Sequence, residues 1–467
     1  MDATDLAFAG PSRQAELVRA GEVTARELTE LYLERIERID PELNAYRTAM
    51  PERALAEADQ ADGRRASGDE RPLLGVPVAV KDNTDVAGEV TTHGTGCFTE
   101  PATADSEAVR RLREAGAVIL GKTNLPELAI IGSTESLNWG VTRSPWDPER
   151  TTGGSSGGSG AAVAAGLCAA AHATDGAGSI RIPAANCGLV GMKPQRGRVS
   201  LMPDAQHWHG MSVAGALTRT VIDQALMLDV LSGPADGVAH TPPPPPRSFV
   251  EAAAEAPGKL RVALSFKPSV PARVDAEVRA AVTSLADVLR SLGHAVTERD
   301  PAYNEIGTVV MPRYLKGVLA DAESVPRPHR LQRRTRGFAA MGRLMPQAAL
   351  DHSMRDEARQ AERINRLFED FDVLLTPATA RPPVGAAEWE GLSAPRTVAG
   401  MLPTYPFTAP WNATGQPALC IPAGFTAAGL PLGGQLIGRP EDEGTLLSLA
   451  AQAEAERPWA DRRPAVA

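Results

Sequence analysis

Three short segments of this chain carry residue types from which nucleophilic chemistry can be built. The first, Gly75-Val76-Pro77-Val78-Ala79-Val80-Lys81-Asp82-Asn83, is an apolar run that delivers a lysine at its end. The second, Gly153-Gly154-Ser155-Ser156-Gly157-Gly158-Ser159-Gly160, contains only glycine and serine. The third, Thr174-Asp175-Gly176-Ala177-Gly178-Ser179-Ile180-Arg181-Ile182-Pro183, sets Ser179 among small residues. Each has an ordinary reading. A lysine that closes an apolar run usually snorkels to the surface, and a glycine–serine run is often a flexible loop. Here, however, the glycine–serine run opens directly into an alanine-rich helical stretch, so its amides could form an anion-binding N-terminus. The small residues before Ser179 allow close approach of a substrate and could leave N–H groups free to hold an oxyanion.

A serine hydroxyl is a poor nucleophile at neutral pH and needs an adjacent base. No histidine closely follows Ser179, and the eight histidines are scattered along the chain. A lysine can serve only when neutral, and burial among few anions lowers its pKa.

Together the three segments resemble the amidase signature family. Lys81, Ser155 and Ser179 fall on that family's lysine, bridging serine and nucleophilic serine, and the spacing of the serines fits. The resemblance covers nearly the whole chain. It continues through Gly191-Met192-Lys193-Pro194 and Gly197-Arg198-Val199-Ser200, and returns at Phe407-Thr408-Ala409-Pro410-Trp411-Asn412 and at Gly429-Leu430-Pro431-Leu432-Gly433-Gly434-Gln435-Leu436.

The resemblance implies an α/β fold. The whole chain, 1–467, would form a single α/β/α domain with a mixed central sheet flanked by helices, and residues 235–370 would be a more variable periphery. It also implies a serine hydrolase of amide C–N bonds in small molecules. A relay would run from Ser179 through Ser155 to neutral Lys81, pass through an acyl-enzyme, and need no metal or organic cofactor. Carbamates and esters share the tetrahedral intermediate and are expected side activities. The family's cis peptide would fall at Gly154–Ser155 or Ser155–Ser156. The oxyanion donors would be the amides of Gly176, Ala177, Gly178 and Ser179. Ser156, Asp175 and Arg181 are expected to hold the reacting groups in place, the last two by pairing with each other or with backbone. Ile131, Trp208, Trp411 and Asn412 are candidates for the substrate pocket, with core packing an equal reading for Trp411 and Asn412. One departure stands out: many members have two glycines before the nucleophile, whereas here the pair is Ala177-Gly178. Alanine at this place resembles the branch of bacterial hydrolases that act on cyclic nylon oligomers.

The elements that must position these groups are readable in outline. Residues 12–63 read as helical, with Leu28, Leu31, Tyr32, Ile36 and Ile39 at helical spacing and a capping box at Thr24 and Glu27. Pro77–Val80 reads as a buried strand, Ser106–Ala115 as helix and Ala117–Leu120 as strand, an alternation typical of an α/β sheet. Pro145–Thr152 reads as loop and Val221–Leu231 as an amphipathic helix. The proline run Pro242–Pro246 favours a stiff connector. Beyond it come a strand at Leu260–Leu264, helices at 274–292 and 351–371, a strand at Val373–Leu375, and two strands within Pro417–Ile437 joined by a turn at Gly429. Residues 200–215 and 300–350 are expected to roof the site.

Composition narrows the partners. Hydrophobic residues make up 43% and charged residues 22%, which suits a globular protein. A net charge of −9 argues against nucleic acid or an anionic membrane, and aromatics at 4% leave few base-stacking platforms. The arginines at 330, 333, 334 and 336 read as a solvated helix face. Four scattered cysteines, Cys97, Cys168, Cys187 and Cys420, suggest reduced thiols in a cytoplasmic protein rather than a metal site. His207-Trp208-His209 likewise reads as a pocket wall or surface loop. Met1–Gly10 lacks a basic stretch expected of a secretory signal. The expected partner is a small-molecule amide, with a homodimer left open.

Three rival readings remain. Gly153-Gly154-Ser155-Ser156-Gly157 satisfies the G-x-S-x-G pattern of α/β-hydrolases, but the elbow needs a strand immediately before it. The amidotransferase subunit that makes Gln-tRNA shares the signature, although Ala177 and a middle region rich in proline and arginine fit it less well. A binding protein that keeps only the fold would not need all three reactive residues.

Overall fold

The computed structural model describes residues 2–467. Met1, the first residue of the segment read above for a secretory signal, lies outside the described residues. The frame is one eleven-stranded sheet. Its strands are β1 (Tyr46–Ala49), β2 (Pro77–Lys81), β3 (Val118–Thr123), β4 (Ala170–Asp175), β5 (Val190–Lys193), β6 (Val213–Thr218), β7 (Arg261–Leu264), β8 (Ala295–Glu298), β9 (Val373–Pro377), β10 (Ala418–Phe425) and β11 (Pro431–Ile437). They lie in the order β1-β3-β2-β4-β6-β5-β10-β11-β9-β7-β8. Pairing is parallel between β3, β2 and β4 and between β9, β7 and β8, and antiparallel through the middle. The expected mixed α/β sheet flanked by helices is therefore present.

Local chemistry explains the elements. Pro77–Lys81 is buried at every position, as a near-continuous apolar run in a parallel strand should be. The helix Ala25–Leu43 buries Leu28, Tyr32, Ile36, Ile39 and Leu43 along one stripe, and the Thr24–Glu27 capping box closes its start. Three expectations need correction. Residues 12–63 are not helical throughout, because Asn44 turns left-handed at φ 53 and β1 follows before the helix Pro51–Ala66 begins. Pro145–Thr152 is not all loop: Asp147–Thr151 pairs with Arg143–Ser144. That ribbon lies outside the large sheet, so the run after it is not a nucleophile elbow. The third long helix expected at 351–371 runs instead over Gln347–Asn365, with a short turn of helix at Leu367–Asp370.

The large core packs on the sheet, while a second apolar cluster sits beneath the helices Ile306–Ser324 and Arg333–Leu344 and includes Trp208, Tyr314 and Phe338. The four cysteines are free and buried. No helix among the described residues is long and apolar enough to cross a membrane.

Candidate active site

Parallel strands β2 and β4 end side by side, and their ends bring the reactive residues together. Lys81 closes β2, fully buried. Its Nζ lies 2.7 Å from Ser155 Oγ and 2.8 Å from Thr174 Oγ1, within hydrogen-bond distance of both. Thr174 also accepts from Asn83 Nδ2 at 3.0 Å. Burial lowers the Lys81 ammonium to about 7, opposed only by the Asp175 carboxylate. A large share of the amine is therefore uncharged at neutral pH.

Ser155 lies in the turn that precedes the helix Gly157–Ala164, and the Gly154–Ser155 peptide is cis. That turn leaves no room for side chains: a Cβ on Gly154 would stand 2.7 Å from Ser133 C, and one on Gly158 would stand 2.5 Å from Ala45 O. Ser156 couples the two serine-bearing loops. Its hydroxyl donates to Thr174 O at 3.1 Å, and its amide donates to Ser179 O at 3.2 Å. Ser155 is buried, whereas Ser179 is partly exposed, and both line one cavity. No hydrogen bond joins the two hydroxyls among the described residues.

The loop from Asp175 to Ser179 is clamped by a buried lattice. Asp175 and Arg181, both fully buried, form a 3.0 Å ion pair. Arg181 Nη1 donates to Thr408 O at 2.9 Å and to Gln435 Oε1 at 2.7 Å, and its Nη2 donates to Asn412 Oδ1 at 2.6 Å. Asn412 Nδ2 returns to Asp175 Oδ1 at 2.8 Å. Burial pushes the Asp175 carboxyl up, but Arg181 and the amide donors outweigh it and hold it well below the usual carboxylate range.

This lattice corrects two expectations. The Gly178 amide donates to Asp175 Oδ1 at 2.6 Å, so it is committed to holding the loop and is not free for an oxyanion. The amides of Gly176, Ala177 and Ser179 make no hydrogen bond among the described residues. Asn412 belongs to the clamp, and Trp411 is a core residue. The Trp411 indole is fully buried, donates to Phe407 O at 2.9 Å and meets Tyr303 edge-on. Neither lines the cavity, whereas Ile131 and Trp208 do. The lattice also explains the Ala177-Gly178 pair. Gly178 has φ 132, and a Cβ there would stand 2.5 Å from Thr408 Oγ1. Thr408 Oγ1 meanwhile donates to Ala177 O at 2.6 Å, and Ala177 borders a small apolar cavity.

The cavity above Ser155 and Ser179 measures about 550 Å³. Four histidines scattered in sequence, His93, His172, His207 and His209, converge on its wall. His172 is buried with both ring nitrogens unpartnered, and burial together with Lys81 lowers it to about 3. The pocket-wall reading of His207 and His209 therefore holds, and the residues whose parts were missed from sequence are Thr174, Thr408, Gln435, His93 and His172. Thr174, Thr408 and Gln435 lie within the recognised segments, whereas the two histidines had no local signal.

Known proteins resemble this chain over nearly its whole length. The amidase family model matches residues 27–447. A Mycobacterium tuberculosis protein assigned by name as the amidase AmiB2 is 48% identical over 469 residues, covering all of both chains. The 6-aminohexanoate-cyclic-dimer hydrolase of Paenarthrobacter ureafaciens is 36% identical, covering 97% of this chain and 95% of its own. A solved structure of 6-aminohexanoate cyclic dimer hydrolase with substrate superposes with a TM-score of 0.92 at 32% identity, covering 98% of this chain and 99% of that one.

Proposed function

The chain belongs to the amidase signature family and hydrolyses amides, and from that premise we propose that it cleaves small-molecule amides through a Ser179–Ser155–Lys81 relay. The single observation that carries this reading is a fully buried lysine, lowered to about 7, in direct hydrogen-bond contact with Ser155. A neutral amine has two N–H donors and one lone pair. Thr174 takes a donor, which leaves the lone pair for the Ser155 proton.

In the acylation step Ser179 Oγ attacks the carbonyl carbon. Its proton passes to Ser155, and the Ser155 proton passes to Lys81. The amides of Gly176, Ala177 and Ser179 are the donors available to the oxyanion. Collapse breaks the C–N bond as Ser155 protonates the leaving nitrogen and recovers a proton from Lys81. The amine departs, leaving an ester on Ser179. Water then repeats the sequence, releasing carboxylate and restoring the serine. Carbamates and esters pass through the same intermediate and are proposed side substrates. The relatives are hydrolases, which favours hydrolysis over the amidotransferase-subunit reading. The same reading takes the whole chain as one domain, with 235–370 as a variable periphery.

Ser179→Ala is expected to abolish turnover and labelling by a fluorophosphonate probe while the protein stays folded by circular dichroism. Retained turnover would overturn the assignment of the nucleophile.

A further inference from the structure

Above Ser179 the site divides in two. The 550 Å³ chamber holds Ser155, His172, Asp85, Asp204 and Asp321, with no lysine or arginine among its described walls. The second chamber, about 70 Å³, is walled by Ile131, Val310, Tyr314, Val398, Met401 and Leu402. Ser179, Ala129 and Trp208 border both.

Trp208 is built to stand between them. A Cβ on Gly176 would lie 2.8 Å from Trp208 Cε3, and one on Gly317 would lie 2.5 Å from Trp208 Cδ1. The indole is thus gripped between the nucleophile loop and the roof helix at the only side-chain size that admits it. Its Nε1 donates to Asp321 Oδ2 at 2.7 Å, and its ring meets Tyr314 edge-on at 5.2 Å. The other Asp321 oxygen lies 3.1 Å from His207 Nε2, and His207 Nδ1 lies 2.6 Å from Ser212 Oγ. Both Trp208, at φ 48, and His209, at φ 52, hold left-handed backbone that side-chain-bearing residues rarely adopt.

We propose that Trp208 is the specificity-determining partition of the site, and that the substrate is an amide of a compact apolar acid with an amine bearing a distal cationic group. The direction rests on the relay reading. Ser155 protonates the leaving nitrogen and lines only the large chamber of the two, so the amine lies there and the acyl group enters the narrow apolar one. The large chamber suits a cation on three grounds. Asp85 and Asp204 line it while Asp321 is occupied by Trp208 and His207. No lysine or arginine opposes them among its described walls, and His207, whose charged form Asp321 favours, is paired with that carboxylate. His172, buried and unpartnered on both nitrogens, offers a neutral acceptor at the chamber wall.

The test is a matched panel: N-butyryl and N-decanoyl amides of 1,4-diaminobutane and of butylamine, assayed with wild type, Trp208→Ala, Trp208→Phe and Asp321→Ala. Wild type is expected to favour butyryl over decanoyl and diamine over butylamine, each by about tenfold or more in kcat/KM. Trp208→Ala is expected to reduce the acyl-length ratio about tenfold without moving the pH midpoint, and Trp208→Phe to preserve it. Should Trp208→Ala fail to fold, Asp321→Ala, which removes the acceptor of the indole N–H, must shift the ratio in the same direction. An unchanged acyl-length ratio in folded Trp208→Ala or Asp321→Ala overturns the partition, and a wild-type preference for decanoyl or for butylamine overturns the substrate class. Failure of the relay reading shows separately, as turnover surviving Ser179→Ala.

Discussion

Two lysines on neighbouring strands show how the same burial can serve opposite ends. Lys81 closes β2, and Lys122 lies on β3 directly beside Val80. Both are fully buried. Burial lowers both amines, but their surroundings differ. Lys122 Nζ lies 2.9 Å from the Asp82 carboxylate, which also takes Arg47 at 3.2 Å, and the charge on Lys122 is thereby favoured. Lys81 meets two hydroxyls and no carboxylate within hydrogen-bond distance. One lysine is a strut in an ion-pair network, and the other is the proposed proton acceptor. What separates them is the partner, not the depth.

The comparison can be broken most decisively by removing each amine. Lys81→Ala should lower kcat by about 10²–10⁴-fold, the usual worth of a general base, with little change in Tm. Lys122→Ala should act the other way, costing about 3–5 kcal/mol of stability because Asp82 loses a buried partner. Denaturant melts and steady-state kinetics on both variants would check this. Equal loss of kcat at unchanged Tm in Lys122→Ala would erase the distinction.

A smaller effect should appear in pH. Lys81 must be neutral to accept a proton, and its ammonium is lowered to about 7. The active form therefore dominates above that value. kcat/KM should rise with pH, falling by about tenfold per unit below the midpoint. A profile that declines from pH 7 to 9 would count against the lysine as base. Smallest of all is Ala177→Gly, which touches the loop but neither amine. It should cost about 0.4–1 kcal/mol of stability through chain entropy while leaving kcat and the pH midpoint in place. A shifted midpoint would mean that the loop, and not the burial of Lys81, sets its proton affinity.

The reactive residues were legible because they sit in contiguous and chemically unusual segments. A lysine that ends an apolar run and a glycine–serine run that opens a helix form a combination that packing alone rarely demands. What failed depended on contacts distant in sequence. Gly178 looked like an oxyanion donor, but its amide is committed to Asp175. Asn412 looked like a pocket residue, but the buried charge of Arg181 draws it into the clamp. Asp147–Thr151 carries no apolar alternation, so nothing local marks it as a strand; pairing with Arg143–Ser144 makes it one. His93 and His172 could not be joined to the His207–His209 pair, because only the fold brings positions 93, 172, 207 and 209 to one wall.

The clamp around Arg181 also has a consequence for synthesis. The proposed nucleophile is laid down at Ser179, and Asp175 and Arg181 beside it can pair at once, yet the clamp is completed by Asn412 and Gln435, far later in the chain. Until those residues are added, Arg181 lacks part of the lattice that holds the loop. Hydrolytic competence is thus deferred to the last stage of translation, and a prematurely terminated chain is left without the groups that align its nucleophile.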